Sequence, residues 1–338
     1  MSDSRMPSEA AVEMMNLLGG FMISQGLFAA ARLGVADELV DGPRPVGEVA
    51  AAVGARPEPL RRLLRTLAVH GVFRLDGDEA ALGPLGGTLA SGTPESLRNM
   101  ALMWMETHYA PFGDLHRTLV DGRPAVEHHH GVPFFEWLGR APERTALFSA
   151  AMSDALRALR MGALDGIDLS WAATVVDVGG ADGAVLAELA ARYPRLRGTV
   201  FDLPEVAASA AERLAAAGVA DRVGAVGGDF FESVPAGADA YLACLILHDW
   251  DDERASRILR GVHAAAPAGA RLILMDVVLP ERDVPPAAAL LDLTMMGILG
   301  GRERTEEDWR ALLGGAGFAL DRVLRPPGPC AVLETTRV

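Results

Sequence analysis

Cysteine is scarce: Cys244 and Cys330 are the only two in 338 residues. Two thiols cannot make a disulfide framework or a cysteine metal cage, and they suit a reducing compartment. Positive charge is the minority, with Lys+Arg 31 against Asp+Glu 45 and a net charge of −14. That balance disfavours a broad nucleic-acid surface, which needs clustered Lys and Arg. Aromatics are only 6% of the chain. No stretch reaches the roughly 18 apolar residues of a membrane span. The nearest imitation, Leu17 to Ala31 (LLGGFMISQGLFAAA), looks like a signal-peptide core, yet Arg5 before it is outnumbered by Asp3, Glu9 and Glu13. A signal peptide opens with positive charge, so a cytoplasmic protein without a membrane segment is expected. Internal repeats, coiled coils and low-complexity tracts are also missing. What is present is 50% hydrophobic and 22% charged residues, the composition of a globular protein with a sizeable core. At about 150 residues per domain the length suggests roughly two domains.

Residues 1–165 read as mostly helical, with one short β interruption. Leu60, Leu63, Leu64 and Leu67 recur at i, i+3, i+4 and i+7, with Arg61, Arg62 and Arg65 on other faces, which predicts an amphipathic helix. VFRL and AALG follow around the turn DGDE, so two helices lead into a β-hairpin, the order of a winged-helix unit. A DNA-binding use is disfavoured by the local charge. Between Arg44 and Glu79 the positives are Arg44, Arg56, Arg61, Arg62, Arg65 and Arg74, six against the five negatives Glu48, Glu58, Asp76, Asp78 and Glu79. Packing against a second subunit is the preferred use. Met14 to Leu33, apolar on nearly every face, also predicts a homodimer. Gly162 to Trp171 reads as a linker, and residues 166–338 then alternate strand and helix: TVVDV, AVLAELAARY, GTVFDL, EVAASAAERLAAAG, VGAVGGDF, DAYLACLIL, DERASRILRGVHAAA and RLILMDVVL. Such alternation implies an α/β fold with a parallel sheet covered on both faces.

Four segments carry candidate chemistry. In VVDVGGADG, Gly179, Gly180 and Gly183 permit a tight turn and a close ligand approach at a helix N-terminus. The second glycine of a dinucleotide motif is Ala181 here, and Asp177 and Asp182 put negative charge where a pyrophosphate would sit. A cationic nucleoside fits better. Asp202, at the end of the next strand, is placed either to hold a ribose diol or to cap the helix that begins near Pro204. Asp229 and Phe230, in GGDFF after the third strand, stand where an adenine could be held, or form a polar turn. In ILHDWDDE, His248 follows a buried strand at the rim where open α/β sheets bind ligands, the place for a base acting on a hydroxyl. Asp249 or Asp251 would cap the helix that follows. Toward the C-terminus, Thr305 and Asp308 form a capping box, and the glycines before it let a loop present Glu303. Trp104, Met105, His108, Tyr109, Phe148, Met152, Asp292 and Met296 are candidate pocket-lining residues, the apolar ones with core as the alternative. His128–His130 is read as a Gly/Pro-flanked loop, and no metal site is assigned to it.

VDVGGADG, FDLP, GGDFF, HDWDDE and GGRERT, in this order, resemble the S-adenosylmethionine-dependent O-methyltransferases of the plant caffeate type and their bacterial natural-product relatives. The resemblance covers nearly the whole chain. It implies a Rossmann-like, seven-stranded class I methyltransferase sheet ending in an antiparallel hairpin, here FALDRVL and AVLETT, with an N-terminal winged-helix-like dimerisation domain. It implies S-adenosylmethionine as cofactor, S-adenosylhomocysteine as product, no metal, and an aromatic, phenolic natural-product substrate. By the same resemblance Gly179 contacts the cofactor, Asp202 binds its ribose, and Asp229 and Phe230 its adenine. His248 is then the catalytic base, flanked by Glu303 and by Asp276, which is one methylene shorter than the family's usual glutamate. Cys244 stands where the plant enzymes carry a cofactor-contacting lysine and is given no catalytic role. Two alternatives stay open: the same scaffold turned to hydroxylation, decarboxylation or cyclisation, and a ligand-sensing winged-helix regulator.

Overall fold

The computed structural model describes residues 8–159 and 162–338, so the leader charges Asp3 and Arg5 lie outside the described residues. The chain forms two compact units, residues 1–110 with 138–155 and residues 111–137 with 156–338. A single boundary at 165 was expected. Segment 111–137 instead belongs to the second unit, where its helix Ala125–His130 packs on the turn Met295–Leu299.

The first unit opens with α1 (Glu9–Leu18) and α2 (Gly20–Leu33). It continues through β1 (Arg44–Pro45), α3 (Val46–Ala52), α4 (Pro57–Ala68), β2 (Phe73–Asp76), β3 (Glu79–Leu82) and α5 (Arg98–Met103). Leucine spacing makes α4 amphipathic. Leu60, Leu64 and Leu67 are buried and Leu63 packs beside them, while Pro57 starts the helix with its preset φ. Fully burying one such side chain stabilises by about 1.5–3 kcal/mol. Asp76 pairs with Glu79, so the hairpin turns on Gly77 and Asp78, and Gly77 supplies the positive φ of +56°. The helix–helix–hairpin order is thus as expected, with β1 added to make a three-stranded sheet. On α1 and α2, Met14, Met15, Leu17, Leu18, Phe21 and Met22 are exposed apolar side chains. Among the described residues no single helix is long and apolar enough to cross a membrane.

The chain then runs through α6 (Leu115–Asp121), α7 (Ala125–His130), α8 (Phe134–Gly139) and α9 (Pro142–Leu159). Beyond them lie β4 (Thr174–Val178), α10 (Ala184–Arg192), β5 (Arg197–Asp202), α11 (Pro204–Ala216), β6 (Val223–Gly227) and β7 (Ala240–Cys244). α12 (Asp252–Ala265), β8 (Arg271–Leu279), α13 (Pro286–Thr294), β9 (Arg304–Thr305), α14 (Glu306–Gly315), β10 (Phe318–Leu324) and β11 (Cys330–Arg337) complete the fold. Ala163, Leu164, Ile167 and Leu169 are buried in the core, so the expected linker is packed structure; its apolar side chains explain the difference.

The main sheet has the order β10-β11-β8-β7-β4-β5-β6, seven strands as expected, with short β9 added beside β8. β6, β5, β4, β7 and β8 are parallel, and the C-terminal hairpin is antiparallel. Every residue of β7 is buried, as a central strand covered on both faces requires. α10 and α11 cover one face through Leu186, Leu189 and Leu214, and α12 and α14 the other through Ile258, Leu259, Trp309 and Leu313. Strand order reverses between β4 and β7, and the crevice beyond their carboxyl ends is where an open α/β sheet binds its ligand.

Candidate active site

Three successive strand ends build one wall of that crevice. After β4 the chain turns at Gly179, whose φ is +72° and whose N–H donates to the Phe201 carbonyl at 2.8 Å. A Cβ there would lie 2.5 Å from Ile246 Cδ1, so only glycine lets this loop run against the segment leading to His248. After β5, Asp202 accepts the Ala181 N–H at 2.8 Å through Oδ2 and the Leu203 N–H at 2.7 Å through Oδ1. It therefore braces the glycine loop as well as the start of α11, and a carboxylate has lone pairs to spare for a diol. Burial pushes its pKa up, against the pull of the two N–H groups. After β6, Asp229 accepts the Phe231 N–H at 2.7 Å, and the Phe230 ring meets Phe231 at 5.0 Å and Trp250 at 6.1 Å. Asp182 is paired with Arg213 at 2.7 Å on α11. Acids and a cradle that a Cβ would fill suit a cationic nucleoside better than a phosphorylated one.

The facing wall comes from the loop after β7. His248 is buried, and its Nδ1 lies 2.7 Å from Glu303 Oε1 and 3.7 Å from Asp276 Oδ1. Its Nε2, on the other side of the ring, lies 3.4 Å from Asp249 Oδ1. Burial opposes a charge on the imidazole. The Asp276 charge and the Glu303 hydrogen bond, with Asp249, override it and push its pKa up to about 10. Burial pushes Asp276 up to about 7 and Asp249 up to about 6, against the pull of the His248 charge. The Cys330 thiol is driven to about 12 by burial, with Asp276 and Glu303 adding to it.

Two devices hold this cluster in place. Asp292 accepts the Glu303 N–H at 2.8 Å, fixing the loop that presents the carboxylate. Arg304 is completely buried, and its guanidinium donates to the Leu247 and Trp250 carbonyls, each at 2.8 Å, and to Asp252 at 2.9 Å. The backbone on either side of His248 is therefore clamped from β9. A Cβ on Gly301 would stand 2.0 Å from the His248 carbonyl, so that loop also needs its glycine.

The structure brings Gly179, Asp202, Asp229 and Phe230 to adjacent strand ends, and His248, Asp276 and Glu303 into one cluster. Asp292 belongs with Glu303, and half-buried Met296 sits on a π-helical turn, Met295–Leu299, a distortion often found at functional sites. The other pocket candidates lie in the first unit. Trp104 and Tyr109 are exposed, Met105, Phe148 and Met152 half-buried, and His108 buried with its pKa lowered by that burial to about 4. Trp104 to His108 is itself a π-helical turn. The capping box of Thr305 and Asp308 is present. Asp251 caps α12, whereas Asp249 packs against His248, because Asp249 precedes the cap position and sits within the turn Leu247–Asp249. His128–His130 ends helix α7 rather than forming a loop. Its rings go to three partners, Asp121 at 3.0 Å, Asp114 at 3.3 Å and the Trp137 ring at 4.1 Å. Asp249 and Arg304 were missed. A buried arginine cannot be told from an exposed one by sequence, although the run HDWDD did signal crowded acids. A hollow of about 450 Å³ lined by Arg197, Asp221, Arg222 and Pro235 opens at the other end of the strands and holds none of these residues.

Comparison with known proteins follows the same division. Residues 112–319 match the model of an O-methyltransferase domain, and residues 15–84 that of an O-methyltransferase dimerisation domain. The chain is 39% identical over 322 residues to the phenazine O-methyltransferase PhzM of Lysobacter antibioticus, covering 95% of this chain and 94% of that protein. It is 37% identical over 315 residues to the aclacinomycin 10-hydroxylase RdmB of Streptomyces purpurascens, covering 90% and 83%. Among solved structures, an O-methyltransferase of neocarzinostatin biosynthesis, in complex with S-adenosylmethionine and 2-hydroxy-5-methyl naphthoic acid, superposes with a TM-score of 0.81 at 33% identity. That match covers 93% of this chain and 96% of that one.

Proposed function

The chain belongs to the S-adenosylmethionine-dependent O-methyltransferase family, and on that premise we propose that it methylates a phenolic hydroxyl of an aromatic natural-product intermediate, with His248 as the base. The observation that carries this reading is His248 itself. It stands at the ligand-binding rim with Nδ1 engaged by Glu303 at 2.7 Å, so that Nε2 is the nitrogen left for an acceptor hydroxyl. Gly179, Asp202, Asp229 and Phe230 would hold the nucleoside, and the fit of their acids and glycine cradle to a cation supports that assignment. S-adenosylmethionine, when bound, supplies a methyl group already activated by its sulfonium. The protein must then hold the acceptor oxygen in line and accept its proton. Orientation of this kind can supply ~7–11 kcal/mol of a barrier, and a placed base ~10²–10⁴ in rate. Met296, on the π-helical turn of the second unit, is proposed to line the pocket that receives the flat substrate.

No metal is required by this scheme. His248, Asp276 and Glu303 offer donor atoms within 4.8 Å of one another, but the histidine–glutamate hydrogen bond already uses Nδ1. Activity unchanged by a chelator is expected. The exposed apolar face of α1 and α2, which runs from Met14 into the segment 15–84 matching the dimerisation model, supports a homodimer. The buried thiols Cys244 and Cys330 suit the cytoplasm. The hydroxylase among the relatives favours one second reading, hydroxylation on the same scaffold. Replacing His248 with Ala separates the two. Methyl transfer to a phenolic panel should fall ~10²–10⁴ at neutral pH, and the loss should shrink as rising pH ionises the phenol. Full methyl transfer by the variant would remove the base assignment, and no methyl transfer by the wild type to any phenol would remove the whole reading.

A further inference from the structure

We propose that Arg304 is a positioning residue for the base: its guanidinium spans the turn that carries His248 and fixes where Nε2 stands, so it serves proton removal as well as stability. This rests on the methyl-transfer reading above. The turn Leu247–Asp249 holds itself poorly. Its own backbone hydrogen bonds are long, from the Asp249 N–H to the Ile246 carbonyl at 3.2 Å and from the Trp250 N–H to the Leu247 carbonyl at 3.4 Å. The chain enters it through Leu245 at a φ of +55°, a left-handed conformation that a leucine keeps only where its surroundings impose it. Such a turn needs outside support, and residues 302–304 supply it one after another. The Arg302 N–H donates to the His248 carbonyl at 2.9 Å. The Glu303 carboxylate engages His248 Nδ1 at 2.7 Å. Arg304 donates to the Leu247 and Trp250 carbonyls, each at 2.8 Å, and so bridges the turn from one end to the other.

The chemistry of the residue fits that use. A completely buried guanidinium must have its N–H groups paired, and two of its three acceptors are these backbone carbonyls. The third, Asp252, has a side chain 57% exposed, so it balances the charge from the solvent side. Trp309, which has no exposed surface, limits the guanidinium on another side, with Cζ 5.2 Å from its ring centroid. A planar fork holds two carbonyls in a fixed geometry, which a lysine ammonium does not reproduce. Glu303 by itself fixes one ring nitrogen, whereas the place of the other depends on the backbone that carries the ring. Displacing a reacting group by about 1 Å can cost on the order of 10²-fold in rate. With the turn released, Nε2 leaves the line of the acceptor hydroxyl, while Asp202 and Asp229, at the ends of other strands, keep their places. A purely structural role has a different consequence: fewer folded molecules, and a loss equal for every substrate.

Two measurements test this. The first needs no variant: amide hydrogen exchange at Asp249 and Trp250 in the wild type should be as slow as in the buried strand β7, because a clamped turn opens only with the fold. Exchange as fast as in an exposed loop would show the turn to be unclamped and end the proposal. The second compares Arg304→Lys, which keeps the charge but loses the fork, on two phenols, one of ordinary acidity and one nitro-substituted and already ionised at neutral pH. For the ordinary phenol kcat should fall on the order of 10²-fold, and for the ionised one less than about threefold. KM and the calorimetric affinity for S-adenosylhomocysteine should stay unchanged. Equal losses on both phenols, or none on either, would confine Arg304 to stability and overturn the assignment. Should the lysine variant fail to fold, the exchange rates decide by themselves. If the wild type methylates no phenol, the reading beneath falls too, whereas an active wild type with equal losses in the variant removes this inference alone.

Discussion

Replacing Glu303 with Gln probes the centre of the site with the least change of shape. Its carboxylate makes a 2.7 Å hydrogen bond to His248 Nδ1, and its side chain is 0% exposed, so solvent does not screen the pair. Gln can still accept that hydrogen bond but removes the charge. A hydrogen bond to a charged group contributes about 1.5–3 kcal/mol, and one pKa unit corresponds to about 1.36 kcal/mol, so the His248 pKa should drop by about 1–2 units. The neutral imidazole that a base requires would then form at lower pH, so the acidic limb of the kcat–pH profile should move down by the same roughly 1–2 units. The sign for stability follows from linkage. A histidine whose folded pKa is raised from 6.5 to about 10 contributes stability that is fully present below 6.5 and lost as pH rises through 10. The stability gap between wild type and variant should therefore narrow toward pH 10. The Gln NH₂ would occupy the place of Oε2, which is buried without a hydrogen-bond partner, and leaving it unsatisfied adds about 1–3 kcal/mol of destabilisation at every pH. Histidine NMR titration, single-turnover kinetics and urea unfolding at two pH values measure these effects separately. An unmoved His248 midpoint together with an unmoved acidic limb would refute the electrostatic role assigned to Glu303.

Asp202→Ala should weaken S-adenosylhomocysteine binding by about 1.5–3 kcal/mol for each hydrogen bond lost, read by calorimetry, and unchanged affinity would return Asp202 to bracing the Ala181 loop and α11 alone. Arg304→Ala leaves the Leu247 and Trp250 carbonyls without their guanidinium partner, and urea unfolding should show a loss of about 2–5 kcal/mol. A variant as stable as wild type would show that the clamp around His248 is dispensable. Leu17→Asp with Met14→Asp, on the exposed face of α1, should shift the protein from dimer to monomer in light scattering at micromolar concentration. A wild type that is monomeric and fully active would remove the dimer proposal.

Local pattern sufficed for the elements. The leucine spacing of α4, the capping box of α14 and the alternation of buried strands with helices are short-range signals, legible because each follows from a period or a cap. The strand-end acids Asp202 and Asp229 were legible for the same reason, since a residue that follows a strand of a parallel sheet must arrive at its carboxyl edge. Sequence could not say that Gly162 to Trp171 packs into the core, because a short stretch of mixed residues has no period to read. It also misjudged Asp249. Two acids two residues apart can both precede a helix, and only the turn Leu247–Asp249 decides that Asp251 caps while Asp249 meets the imidazole.

The amino-acid order by itself determined which residues could do chemistry and which strand end each would occupy, because both follow from neighbours in the chain. Tertiary structure alone decided their ionisation. His248, Asp276 and Glu303 come from β7's loop, β8 and the approach to β9, far apart in sequence. Their mutual distances of 2.7 and 3.7 Å, and the burial that strengthens the interaction between them, exist only once the sheet has formed. The same holds for Arg304, which is one arginine among many until folding buries it completely and places its guanidinium on the carbonyls of Leu247 and Trp250. Electrostatic energy depends on distance and local dielectric, and neither quantity is written in the chain.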